Sequence, residues 1–183
     1  TSNNGPSDNS AGVRIRFGAS NNEIYRNTID ATGCTGNCFP VRLGGDEGNG
    51  IPANNIFHHN TLSGTTRVIS IEEATSGATF YGNSLTNTDT ASGYAIYISR
   101  WNTGDVIENI RFSYETIIGG KATGKVVLGD RTDGATGING VIFCQSGLSA
   151  SDLTVSASVA NWSITNSNCP TNPPSNPSGF TVQ

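Results

Sequence analysis

Methionine is absent from this 183-residue chain, and histidine and tryptophan occur only twice each. Charged residues are scarce, at 13%, and the net charge is −4. A set so sparse and acidic excludes the basic surface that nucleic acid or an anionic membrane requires. No apolar run approaches the roughly 20 residues of a membrane-spanning helix. No signal peptide is visible and Thr1 is not a natural start, so the sequence reads as mature, trimmed or excerpted. A glycine-rich phosphate loop, a G-x-S-x-G elbow and an H-E-x-x-H helix are all missing. His58 and His59 have no carboxylate or Cys at metal spacing, and read as solvated or turn residues.

Hydrophobic residues make up 34% of the chain and Gly numbers 23, with Asn, Ser and Thr filling much of the rest. Asn, Ser and Thr compete with a helix backbone for hydrogen bonds, and Gly is entropically costly in a helix. Disorder needs high charge and few β-branched or aromatic residues, and neither condition holds. One all-β domain with many tight turns fits this composition.

The four cysteines are Cys34, Cys38, Cys144 and Cys169. Zinc sites use paired C-x₂₋₄-C elements or nearby His, whereas Cys144 and Cys169 stand singly. Of the three pairings open to four Cys, the expected one is 34–38 with 144–169. Disulfides place the protein in an oxidising compartment, extracellular or at a cell surface.

Sliding the chain against itself exposes a repeat. One element reads apolar-x-x-Asn-x-apolar: Ile24 to Ile29, Phe57 to Leu62 and Phe80 to Leu85. Weaker copies run Phe112 to Ile117, Phe143 to Leu148 and Ile164 to Cys169. A short alternating strand precedes each copy, with its second apolar residue at Ile15, Leu43, Ile71, Ile98, Leu128 and Val155. By subtraction the steps are 28, 28, 27, 30 and 27 residues. Strands this short bury an apolar face only by stacking coil on coil. The repeat therefore predicts an all-β, right-handed parallel β-helix solenoid of about six coils. Asn27, Asn60 and Asn83 are expected at the sharp turns, where Asn tolerates the left-handed backbone and stacked amides can form a ladder. Residues 1–10 read as a polar lead-in and 11–169 as the solenoid. Residues 170–183 read as a Pro-rich linker entering a further domain.

Over residues 11 to about 170 this pattern resembles the pectate-lyase-like superfamily of parallel β-helices. The resemblance implies a carbohydrate groove over the outer face of the first strand. Aligned coils put Arg14, Arg42, Ser70 and Tyr97 in one outward row. Arg16, Gly44, Glu72, Ser99 and Gly129 form the next. The turns that follow carry Asp46-Glu47, Glu73, Arg100-Trp101 and Asp130-Arg131. In such a groove Glu72, Glu73, Asp46 and Asp130 suit acid roles, since glycosidases use paired carboxylates. Arg100 suits a uronate carboxylate or the base of a lyase. Trp101 suits a sugar ring, and Arg42, Tyr97, Asp46 and Arg131 line the path. Calcium is the cofactor that a lyase reading implies, although the family's calcium cluster has no residue-by-residue counterpart here. The outward rows carry Arg, Tyr and Glu, which argues against the flat Thr array of an ice-binding face.

Two functions are open at this point. One is a secreted module that binds a polysaccharide, with cleavage by lyase or hydrolase chemistry undecided. The other is a structural or adhesive module of a surface fibre or phage appendage, stacking end to end. The second follows from the start of the solenoid, which lacks an amphipathic cap and presents an open edge.

Overall fold

The computed structural model describes residues 10–34, 36–45, 50–102, 104–130, 137–167 and 169, and of Asp130 only the backbone. Within these residues the chain is all-β, with a single 3₁₀ turn at Ala150–Asp152. The strands in chain order are β1 (Ser10–Ile15), β2 (Glu23–Tyr25), β3 (Thr28–Asp30), β4 (Cys38–Leu43), β5 (Ile56–His58) and β6 (Thr61–Gly64). Then come β7 (Arg67–Glu72), β8 (Thr75–Ser76), β9 (Thr79–Tyr81), β10 (Ser84–Asn87), β11 (Tyr94–Arg100) and β12 (Ile107–Ser113). The last are β13 (Thr116–Gly119), β14 (Val126–Asp130), β15 (Ile138–Cys144), β16 (Leu153–Val155) and β17 (Ser163–Thr165). The first strand starts one residue inside the expected lead-in. The remaining lead-in and the Pro-rich tail lie outside the described residues.

Three parallel sheets take these strands in chain order. The first is β1-β4-β7-β11-β14-β16, the second β2-β5-β9-β12-β15-β17 and the third β3-β6-β10-β13, with β8 added to β12. The chain thus visits the sheets in rotation and lays each strand beside its counterpart from the previous circuit. The repeat positions pair as their spacing predicts: Ile15 with Leu43, Leu43 with Ile71, Ile71 with Ile98, Ile98 with Leu128, and Leu128 with Val155. Period-two alternation turns these side chains into a common core, in which Leu43, Ile71, Ile98 and Leu128 have no exposed surface. In the second sheet Phe57, Phe80, Phe112 and Phe143 form a column, with adjacent ring centroids 4.9, 4.6 and 5.1 Å apart. The third sheet aligns Ile29, Leu62, Leu85 and Ile117. Leu148, the next residue expected in that column, is buried but belongs to no strand.

Two columns of left-handed residues bracket the second sheet. Asn21, Asn54, Gly77 and Asn161 precede β2, β5, β9 and β17, their counterparts Asn109 and Gly140 lie within β12 and β15, and Arg26, His59, Gly82, Tyr114 and Gln145 follow the strands, all at positive φ. The second column corrects the sequence expectation, because the left-handed residue is the one before each repeat Asn. Asn27, Asn60 and Asn83 serve instead as a ladder. The backbone N–H and the Nδ2 of Asn27 both donate to Oδ1 of Asn60 (3.0 and 3.2 Å), and those of Asn60 both donate to Asn83 (2.9 Å each). Each inner amide also reaches back three residues' worth of chain on the preceding rung: Asn60 donates to the Ile24 carbonyl and Asn83 to that of Phe57. The ladder thereby satisfies buried backbone groups at a corner where no strand can. At the next rung Glu115 replaces Asn, and its carboxyl accepts from both Asn83 donors.

Both expected disulfides are formed, Cys34–Cys38 with Cα atoms 6.1 Å apart and Cys144–Cys169 with 5.6 Å. The second closes a 25-residue separation, and a loop of that size is worth about 3–4 kcal/mol on a chain-entropy account.

Candidate functional site

The outer face of the first sheet is assembled by the register of β1, β4, β7 and β11. Arg14 pairs with Arg42, Arg42 with Ser70 and Ser70 with Tyr97, so the first outward row is a continuous column. Glu72 pairs with Ser99 and Ser99 with Gly129 in the second row. Gly44 completes that row for a steric reason, since a Cβ there would lie 1.6 Å from the Glu72 carbonyl oxygen.

Glu72 is the centre of the charge network and is only 2% exposed. Its Oε2 is 2.9 Å from Nη2 of Arg42, and its Oε1 accepts from Nη1 of Arg67. Arg67 also donates to the Ser70 hydroxyl at 3.4 Å, and its guanidinium lies 3.7 Å over the Tyr97 ring. Glu73 flanks the cluster, 4.0 Å from Arg42 and 3.8 Å from Arg16. Tyr94 stands 5.6 Å from Tyr97, with Lys121 4.8 Å above its ring. A buried carboxylate held by two guanidiniums recovers its desolvation cost through charge-assisted hydrogen bonds, and removing one partner is the costly event. Among the described residues the face carries four arginines (14, 16, 42 and 67) and two carboxylates (72 and 73), although the whole chain is acidic.

The structure brings Arg42, Glu72, Glu73 and Tyr97 together and adds Arg67 to them. Arg100 does not join this group. Strand β11 runs on through Arg100, so this residue keeps the parity of Ile96 and Ile98 and is enclosed at 1% exposure. Its Nη1 donates to the Asp105 carbonyl at 3.3 Å, and a Cβ on Gly137 would lie 2.2 Å from it. Asp105, itself fully buried, accepts from the backbone N–H of Trp101 (3.2 Å) and of Asn102 (2.9 Å). Arg100 and Asp105 therefore shape the turn that leaves Trp101 42% exposed. Asp46, Arg131 and the side chain of Asp130 lie outside the described residues.

Arg67 escaped the sequence reading because it precedes the alternating strand. Its signal was the same spacing: Phe39, Arg67 and Tyr94 follow at steps of 28 and 27 by subtraction, and Arg67 pairs with Tyr94. Among the described residues the outer face offers no set of ligands that fits calcium. The oxygens of Glu72 are engaged by arginines, and among the described residues no three His, Cys, Asp or Glu side chains gather around a common point. Comparison with known proteins found no matching family, no matching curated protein and no matching solved structure.

Proposed function

We propose that this chain is a right-handed parallel β-helix module of an extracellular protein, in the manner of the pectate-lyase-like superfamily, and that it binds a polysaccharide along the outer face of the first sheet. The observation that carries the reading is the column Arg14–Arg42–Ser70–Tyr97, exposed at Arg14 and partly exposed at Tyr97, with Arg42 and Ser70 buried within the Arg67–Glu72 network between them. Adjacent strands are about 4.8 Å apart, so successive sugar units meet successive coils. The parallel sheets visited in rotation support the solenoid, and the right hand follows from the rule for parallel crossovers. Two disulfides support an oxidising, extracellular setting.

Binding fits this geometry better than cleavage. A carboxylate whose two oxygens each accept from a guanidinium has no oxygen left to carry a proton to a leaving group, and Glu72 is in that position. The test is a glycan array followed by titration of the best ligand against Trp101→Ala and Arg14→Ala, both at exposed positions. Aromatic stacking is worth about 0.5–1.5 kcal/mol, so Trp101→Ala is expected to weaken binding about two- to thirteenfold with the melting temperature unchanged. Full affinity in both variants would move the site elsewhere.

A second reading rests on the opposite feature, the sheet ends formed by the first circuit among the described residues. Strands β1, β2 and β3 each stand at the end of a sheet. Beside them Val13, Ile15, Ile24 and Ile29 line a hollow of about 580 Å³. Such an edge pairs readily with another chain, which suits a fibre module stacking end to end. On this reading sedimentation shows association that rises with concentration and disappears in Val13→Lys. A monomer at every concentration rejects it.

A further inference from the structure

His58 and His59 read as unremarkable turn residues in the sequence, but the coil stacking supplies what the local sequence lacks. Glu23, on β2, stands one coil away from His58, on β5, and its Oε1 is 2.8 Å from the His58 Nε2. A carboxylate accepts, so the Nε2 of His58 carries the hydrogen and its Nδ1 presents a lone pair. That lone pair faces Nδ1 of His59 at 2.8 Å. The two rings stand nearly perpendicular, with 84° between their planes. Tyr25 stacks flat on His58, with centroids 5.1 Å apart and 1° between the planes, and Tyr81 meets the edge of His59 at 5.5 Å. The left-handed backbone of His59, φ 54°, turns its ring toward its neighbour, where an extended residue would send it to the other face of the sheet.

We propose that His58 and His59 form a copper(II) site, bound in cis through their two Nδ1 atoms, with Glu23 positioning His58. The hydrogen bond between the two Nδ1 atoms already brings them close enough to serve as a cis pair of ligands. Two nitrogens at about 2.0 Å from a centre with about 90° between them lie about 2.8 Å apart, whereas tetrahedral zinc sets them about 3.3 Å apart. The observed 2.8 Å is the length of the hydrogen bond that the metal would replace, and the choice of copper rests on ligand type and the general order of affinities. Small ring rotations aim both lone pairs at the metal, and the hydrogen that His59 shares through Nδ1 moves to its Nε2. Glu23 plays the part that a carboxylate behind a ligating His commonly plays, fixing the tautomer and raising ligand basicity. Among the described residues no third His, Cys, Asp or Glu completes a protein cage, so water fills the other positions. Neutral imidazole ligands and the general order of divalent affinities place copper ahead of zinc.

The test is calorimetric titration of the 183-residue chain with copper(II) and, separately, with zinc sulfate, both in a buffer that coordinates neither metal strongly, with electron paramagnetic resonance on the copper samples. Expected are one copper per chain, a tetragonal spectrum with nitrogen coupling, and zinc bound at least tenfold more weakly. His58→Gln and His59→Asn are expected to abolish this binding. Asn is tolerated in the left-handed region, so the second variant keeps its turn, and melting temperatures verify both folds. Glu23→Gln should retain the stoichiometry and lose about 10–100-fold in affinity, the usual effect of removing a carboxylate behind a ligand. Absence of stoichiometric copper, zinc binding as tight as copper, or undiminished copper binding in folded His58→Gln and His59→Asn would each overturn the proposal.

Discussion

Truncating Phe80 to Ala is expected to cost the fold about 3–5 kcal/mol, the upper range for emptying a buried aromatic position. Phe80 has no exposed surface and sits between two parallel rings, Phe57 at 4.9 Å and Phe112 at 4.6 Å. Removing it opens a cavity and leaves both neighbours without a stacking partner, a contribution beyond area burial of about 0.5–1.5 kcal/mol per pair. Relaxation is restricted, because the column is fixed by strand pairing on both sides, Phe57 with Phe80 and Phe80 with Phe112. Phe80→Leu keeps most of the volume and is expected to cost less than half as much. Urea unfolding with a common slope measures both changes. A loss under about 1 kcal/mol for the Ala variant would mean that the second-sheet column is not packed as described. Because directly paired strands share contacts, Phe80→Ala and Phe112→Ala should be non-additive, while Phe80→Ala and Ile15→Ala, in different sheets and on strands that do not pair, should add.

The columns were legible in the sequence because they depend on two periodicities that survive variation in the loops: alternation within a strand and a nearly constant step between coils. Ile15 to Val155 and Ile24 to Ile164 were placed correctly by these alone. The outward row Arg14, Arg42, Ser70, Tyr97 came from the same parity. Arg100 shows where the method stops. Its assignment to a turn assumed that the strand ended at Ser99, and one further strand residue kept Arg100 on the enclosed side. Loop and strand differ there by local hydrogen bonding that no period encodes. Pairs such as Glu23 with His58, 35 positions apart, were invisible for another reason. The sequence aligned only the apolar positions of those strands, and the polar neighbours become partners only after the register is applied to them as well. The Asn ladder was foreseen, but the left-handed turn was assigned to the Asn when it belongs to the residue before, since Asn favours both roles and composition cannot separate them.

Glu115 marks the point where that ladder changes chemistry, and it should make stability depend on pH. The preceding rungs, Asn60 and Asn83, each accept through Oδ1 and donate through Nδ2 to a carbonyl on the coil before. Glu115 accepts from the Asn83 side chain at 3.1 Å and from its backbone N–H at 3.2 Å, but a carboxylate has nothing to donate. Only the neutral acid can donate. Burial pushes the Glu115 carboxyl well above its ordinary 4.5, against the opposing pull of the Asn83 hydrogen bonds. A carboxyl raised in the folded state binds its proton more tightly there than in the unfolded chain. Its contribution to stability is therefore complete below about pH 4.5 and is lost as pH rises toward the folded value. Within that window the expected loss is about 1.4 kcal/mol per pH unit. Asp30, held low by the Thr32 backbone and hydroxyl, and Asp89, held low by Ser92, act in the opposite sense but below their ordinary 3.8, so the windows separate. Glu115→Gln supplies a permanent donor and removes the titration. Urea unfolding from pH 4.5 upward should show wild-type stability falling while the variant stays level, so that the variant becomes the more stable of the two as pH rises. Parallel curves for the two proteins would show that Glu115 holds its charge within the ladder, and that the rung closes without a proton.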